Sequence, residues 1–278
     1  MYRMIGAGIQ LLSNRIEFSD GRFVDPSNAN ILIGILTCNK HKVRADGVRS
    51  SWLKLIPSNY RVLFIHGRPG LPEGVEGDCL YLDCPESYEK LPQKVHAFLR
   101  YSLHHFEFDY LFKTDDDTYL DLERFMAFDK EGADYIGQFR EQPLTDERGK
   151  TWHYGKCTDK SYEAPYERPF VCGWATGGGY FLSHRAAEIA VQKTRNTFAD
   201  SLFEDMMIGE ALTLHPGLKV TMSRFALMGV INPLLPKDML YVQDLVLERK
   251  RLSDEVLALR RENLELKAGS TGRPGNED

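Results

Sequence analysis

Cysteines are few in this sequence, and they cannot all pair. Five occur in 278 residues, at positions 38, 79, 84, 157 and 172. No two stand at CxxC spacing, which argues against the common structural zinc frameworks. An odd number of thiols leaves a secreted disulfide scaffold unsupported. A single Cys157–Cys172 bridge stays open beside the reading of five reduced, partly buried thiols. An excess of basic charge is also missing. Forty acidic residues against 35 basic ones give a net charge of −5, so no global positive field attracts nucleic acid. A long apolar run is absent too. Residues Met1 to Leu12 are mildly apolar, but too short and interrupted for a membrane span and a poor signal peptide. That reading gives a chain with no visible anchor and a cytoplasmic location. No GxxxxGK[ST] loop occurs, which excludes P-loop phosphate chemistry.

The composition that remains, 42% hydrophobic and 27% charged, suits one large soluble domain with an appendage. Residues 1–30 read as an irregular segment, broken by Asp25-Pro26-Ser27-Asn28. From residue 31 to 236, apolar β-branched runs alternate with amphipathic stretches. Ile31 to Thr37 is an uninterrupted apolar run, the pattern of a strand covered on both faces. Further strands are expected at 61–65, 79–82, 109–113, 135–137, 179–182 and 219–222. Helices are expected at 43–55, 90–105, 183–194 (with Ser183 as cap) and 204–214. Such alternation predicts an α/β fold with a mainly parallel central sheet, and ligands at the carboxyl ends of its strands.

From 238 to 268 the period changes. Leu245, Leu252, Leu259 and Leu266 are spaced by seven, and Val242, Arg249, Val256 and Asn263 fill the alternate seam positions. This predicts a coiled-coil helix and a parallel homodimer through Val242 to Leu266, with Asn263 favouring the two-stranded register. An amphipathic helix packed on its own domain is the competing reading. Residues 269–278 read as a disordered tail.

The chemistry centres on Asp115-Asp116-Asp117, at the end of the 109–113 strand. Three adjacent carboxylates repel one another and raise one another's pKa values unless a cation neutralises them. Mg²⁺ or Mn²⁺ suits such oxygens and shares its shell with substrate phosphates. Asp115 and Asp117 form a D-x-D pair that can face one cleft. The plain alternative is a solvated acidic helix start. Glu204-Asp205 opens a later helix and offers a general base, although a carboxylate pair at a helix start is ordinary. Gly177-Gly178-Gly179 reads as a tight turn or as a place where backbone approaches a ligand closely. Arg44 and Arg49, soon after the first strand, are candidates for phosphate contact or plain surface arginines. Trp174 is read equally as a platform for a sugar ring or as packing.

The order of these pieces is more specific than any one of them. The strand ending Ile35-Leu36-Thr37 comes first, then Arg44 with Val48-Arg49-Ser50-Ser51-Trp52, and Glu86 to Lys94. Phe112 to Tyr119, Ala175 to Ser183, and Glu204-Asp205 with Ile208-Gly209 follow. The set resembles the inverting β-1,3-glycosyltransferases of the galactosyltransferase family 31, with the Fringe-like enzymes as relatives, over about residues 31–230. That resemblance implies a GT-A fold, a Rossmann-like nucleotide half merged with an acceptor half. It implies a UDP-sugar donor, usually Mn²⁺, and a glycan acceptor. By position, Asp117 and Asp115 would bind the metal, and Asp205, with Glu204 as second choice, would be the base. Thr37, Arg44, Arg49, Lys94, Asp115 and Asp116 would hold the donor, with Trp174 and Gly177 to Gly179 on the sugar side. Family members commonly supply a late histidine to the metal, and residues 220–229 contain none. The usual eukaryotic members are anchored Golgi proteins, so the Golgi lumen is the expectation if this chain is a piece of a longer one. Two other classes stand beside this reading: a non-catalytic UDP- or sugar-binding dimeric scaffold, and another metal-dependent nucleotidyl or phosphoryl transferase.

Overall fold

A computed structural model describes residues 16–17, 23–24, 30–57, 60–141, 153–164 and 171–270, with side chains to residue 261. Much of the 142–167 loop and most of the 269–278 tail lie outside the described residues, as does most of the segment before residue 30. Within that first segment, β1 (Ile16–Glu17) and β2 (Phe23–Val24) form a small antiparallel pair.

The remaining elements follow in order: β3 (Ile31–Leu36), α1 (Lys42–Ser50), β4 (Arg61–Gly67), β5 (Gly74–Glu76), β6 (Cys79–Leu82), α2 (Leu91–His105), β7 (Tyr110–Asp115), β8 (Tyr119–Leu120), α3 (Leu122–Ala127) and β9 (Tyr135–Arg140). Next come β10 (Trp174–Ser183), α4 (His184–Thr194), α5 (Glu204–Leu212), β11 (Val220–Met222), β12 (Val230–Ile231) and α6 (Pro236–Ser270). The helix expected to run to residue 55 ends at Ser50 and continues as a 3₁₀ turn over Trp52–Leu55. Ser183 caps α4 as expected, accepting from the Ala186 amide at 3.1 Å.

Eight strands form the central sheet in the order β11-β9-β10-β7-β3-β4-β6-β5. The core strands β7, β3, β4 and β6 pair in parallel, as do β9 and β11. Only β10 and the edge strand β5 run against their neighbours. This is the mainly parallel α/β architecture that the uninterrupted apolar runs predicted, with a parallel half joined to a half built around a reversed strand.

Alternation along β3 explains the layering. Leu32 and Leu36 enter one core with Val95 and Phe98 of α2, Ala186 and Ala190 of α4, and Ile208 and Leu212 of α5. Ile31, Ile33 and Ile35 enter the other, with Ala45 and Val48 of α1, Phe125 of α3 and Met239 of α6. Successive side chains of a strand point to opposite faces, so a run apolar at every position requires helices on both. Each fully buried aliphatic or aromatic side chain contributes about 1.5–3 kcal/mol. Gly34 is small for a packing reason, since a Cβ there would sit 2.2 Å from the Phe98 ring.

The helix read as a free four-heptad seam is divided. Met239 is fully buried, and Val242 and Val246 pack on the α1 side of the domain. Arg249 reaches Asp121 at 2.9 Å. The first half of α6 is thus held by its own domain, which corrects the pairing expected to begin at Val242. Leu252, Val256 and Leu259 remain exposed. No helix among the described residues is long and apolar enough to cross a membrane. All five cysteines are free thiols, so the Cys157–Cys172 bridge left open by the sequence is not formed.

Candidate active site

The acidic turn leaves the carboxyl end of β7 beside the end of β3, where Leu36 pairs with Asp115. Its three carboxylates have different surroundings. Asp116 is buried, accepts from Thr37 Oγ1 at 2.8 Å, and lies 3.3 Å from both Arg44 Nη1 and His41 Nδ1. Asp117 accepts from Asn232 Nδ2 at 2.7 Å and stands 3.5 Å from Arg44. Asp115 is the most open, with its side chain 38% exposed, and accepts from Lys113 Nζ at 2.9 Å. Burial raises the pKa values of Asp116 and Asp117, and the charge of Asp115 pushes both further up. Arg44 therefore neutralises part of a repulsive cluster, which sequence reasoning assigned to a cation.

Strand β10 brings the second half of the site. It is reversed relative to β7 and pairs Gly179 with Thr114, so Gly178 and Gly177 run alongside the acidic turn. The glycine run is strand, which rules out the tight-turn alternative, and its pairing with β9 slips between Ala175 and Tyr180. The absent side chains make room. A Cβ on Gly177 would lie 2.8 Å from Glu204 Oε1, and one on Gly178 would lie 2.5 Å from Asn232 Oδ1. Thr114 and Thr118 hydroxyls both donate to the Gly178 carbonyl, at 2.8 and 3.2 Å.

Helix α5 starts at the carboxylate pair. Glu204 is buried, with one oxygen bonded by Lys113 and the other accepting from Tyr180 at 3.1 Å. Burial pushes its pKa up to about 7 against the opposing charge of Lys113. Asp205 accepts from its neighbour's amide, Met206 N, at 2.9 Å and from Gly177 N at 3.3 Å. Burial raises its pKa as well. Tyr88 stands close enough for the charges of Asp205 and Asp115 to add to the burial that raises its hydroxyl.

Other predicted donor residues are placed differently. Lys94 is buried and ties the Thr37 carbonyl (2.9 Å) to Glu86 (2.7 Å), so it braces the end of β3 from within. Burial alone would raise the Glu86 carboxyl, but His66 and Lys94 hold it below the ordinary value. Arg49 is engaged elsewhere: Asp78 grips it bidentately at 2.7 and 3.0 Å, and it lies 4.1 Å over the Phe64 ring. The structure does not bring it to the acidic turn. Trp174, 3% exposed, packs with Phe203 and Met206 and against Gly209. Its role here is the packing alternative.

Sequence reasoning missed His41, Lys113, Tyr180 and Asn232. Lys113 had a signal: a lysine inside a strand otherwise apolar must find buried acceptors. Lys156, in the segment between β9 and β10, lies near enough to feel the charges of Asp117 and Asp115, although burial lowers its pKa overall. Among the described residues, no group of three or more His, Cys, Asp or Glu side chains is arranged to hold a metal. The donor set is two carboxylates. One oxygen of Asp115 is taken by Lys113 and one of Asp117 by Asn232, while the other oxygen of Asp117 has a long contact of 3.5 Å to Arg44. That fits a hard divalent cation that completes its shell with phosphate oxygens and water.

The α/β domain thus sets an acidic strand-end turn across from a helix that starts with two carboxylates. The family model described as galactosyltransferase matches residues 73–222, just over half of the chain, and the chain belongs to that family. The mouse protein UDP-GalNAc:beta-1,3-N-acetylgalactosaminyltransferase 2 is 32% identical over 114 residues, 39% of this chain and 21% of that protein. Hydroxyproline O-galactosyltransferase GALT5 of Arabidopsis thaliana is 30% identical over 200 residues, 64% of this chain and 28% of that one. The chain thus spans about a fifth to under a third of the length of these relatives. Among solved structures, a glycosyltransferase involved in the glycosylation of the major capsid of PBCV-1 superposes with a TM-score of 0.40 at 10% identity. That match covers 70% of this chain and 81% of that one.

Proposed function

We propose that the chain transfers a hexose or N-acetylhexosamine from a UDP-sugar to a hydroxyl of a glycan or glycoconjugate, with inversion and formation of a β-1,3 linkage. One observation carries the reading. Lys113 bonds both Asp115 and Glu204, so two carboxylate groups far apart in sequence share one buried cation. This gives the site a donor side and a base side. On the donor side, Asp117 and Asp115 would hold Mn²⁺ or Mg²⁺, and such an ion would supply positive charge beside a departing diphosphate. Arg44 adds a fixed charge beside them, and Thr37 and His41 orient Asp116.

On the base side, Asp205 takes the acceptor's hydroxyl proton. The freed oxygen attacks the anomeric carbon from the face opposite the diphosphate, and the bond from that carbon to the phosphate oxygen breaks, releasing UDP. Glu204 is the weaker candidate because it is buried in an ion pair with the Lys113 ammonium, whereas Asp205 accepts from two backbone amides. Burial makes Asp205 more basic than a free aspartate, which suits proton abstraction near neutral pH.

Asp205→Asn and Asp117→Asn, assayed for UDP release over a panel of UDP-sugars and glycan acceptors, test the assignment. Removal of the base is expected to cost at least about 100-fold in kcat. Turnover equal to wild type in both variants would sink the mechanism. Tight UDP binding with no transfer from any donor would favour the scaffold reading. The distal part of α6, from Leu252 onward, is proposed to pair in parallel with a second copy.

A further inference from the structure

Lys113 follows Tyr110 to Phe112, the apolar and buried start of its strand. Its side chain is 1% exposed. Alternation along β7 puts it on the face of Leu111, the face covered by α5. There the ammonium has three acceptors on three separate elements. Asp115 Oδ1 lies at 2.9 Å on β7, the Gly177 carbonyl at 2.7 Å on β10, and Glu204 Oε1 bonds it from the start of α5. The lack of a side chain at Gly177 leaves the space, since a Cβ there would crowd Nζ at 3.2 Å. Tyr180 closes the far side with its hydroxyl on Glu204 and its ring 5.6 Å from the ammonium.

We infer that Lys113 is a positioning residue, setting the distance between the donor-side carboxylate Asp115 and the helix start that carries Asp205. The inference rests on the transfer reading above and adds a part to it. A salt bridge kept only for folding needs one partner. This ammonium is shared between the two halves of the site, and every acceptor it has borders either the acidic turn or the base. Asp205 follows Glu204 directly, so a shift of Glu204 moves the base relative to the donor. Loss of the ammonium would also leave Glu204 buried without its counter-ion, and the start of α5 would move to rehydrate it.

The test compares Lys113→Met with wild type in kcat and in KM for the UDP-sugar, with folding followed by circular dichroism. A misplacement of reacting groups by about 1 Å costs about 100-fold in rate, so kcat is expected to fall by that order. Donor KM is expected to stay within about 3-fold, since the contacts that bind the donor remain. A folded Lys113→Met variant with wild-type kcat, or with its whole loss in KM, overturns the assignment. Where Lys113→Met does not fold, Lys113→Met/Glu204→Gln is compared with Glu204→Gln alone, under the same two criteria. A wild-type chain that turns over no UDP-sugar overturns the transfer reading and this assignment together. A wild type that turns over, matched by the variant, overturns this assignment alone.

Discussion

Lys130 sits just beyond α3, and its neighbours are mostly rings. Its ammonium lies 5.0 Å from the centroid of Phe181 and 5.8 Å from that of Tyr110, with one hydrogen bond to the Phe128 carbonyl at 3.1 Å. Burial pushes its pKa down from 10.5 to about 8. The folded state therefore holds this proton less tightly than the unfolded chain. The stability that Lys130 can contribute is fully present above pH 10.5, where it is neutral in both states. It is lost as pH falls through about 8. Lys130→Met is expected to stabilise the protein at pH 7 by up to about 3 kcal/mol. The gain should shrink towards pH 10.5, and urea unfolding of both proteins at pH 7 and pH 10 measures it. An equal difference at both values would show that the ammonium is not paying for its burial. Lys113 is the instructive contrast: equally buried, it is held well above the ordinary lysine value, because Asp115 and Glu204 outweigh the burial that would lower it.

At the scale of elements, α6 serves two purposes along its length. Its first turns complete the core beside α1 through Met239, Val242 and Val246, and Arg249 fixes the next turn to Asp121. A chain ending after residue 235 loses all of these, and burial of a single methionine is worth about 2–5 kcal/mol. Such a chain is expected to unfold at much lower urea than the full protein, whereas one ending after residue 250 should unfold with it. Matching urea midpoints for the two truncated chains would mean that the proximal turns add nothing to the fold. The heptad spacing was legible in the sequence, but which face each turn presents was not. Val242 and Leu245 are equally apolar, and periodicity does not say whether a stripe meets its own domain or another copy. Strand β10 gave a similar lesson. Three glycines left two readings open, a tight turn or a close approach of backbone, because glycine permits both. The structure uses them for close approach, so that Lys113, Glu204 and Asn232 fit against a strand. Arg49 and Trp174 were placed in the site by their neighbours in sequence, while Asp78 and Gly209 supply partners that no local spacing reveals.

Across the whole molecule, the parallel half of the sheet was readable because strands covered on both faces are apolar at every position. The acidic turn was readable because it interrupts one of those runs. Links between distant segments, such as Lys113 with Glu204 or Asn232 with Asp117, depend on which strands and helices the assembled fold brings together. Assembly beyond one chain is the remaining question at this scale. Leu252 and Val256 are each 48% exposed and Leu259 is 64% exposed, on a helix that has by then left its own domain. A stripe of leucines at heptad spacing in water is unfavourable, and the proposed parallel pairing with a second copy would cover it with like residues. With Arg249 already bonded to Asp121, the proposed pairing would begin near Leu252, with roughly two to three heptads to hold it. The full chain is expected to sediment as a dimer at micromolar concentration, and Leu252→Glu/Leu259→Glu as a monomer. Because Asp115, Asp117 and Asp205 all belong to one chain, the monomeric variant should transfer sugar with kcat within about 3-fold of wild type. A full-length chain that sediments as a monomer would assign the stripe to a different partner. A large loss of transfer in the monomeric variant would instead show that a neighbouring copy completes the site.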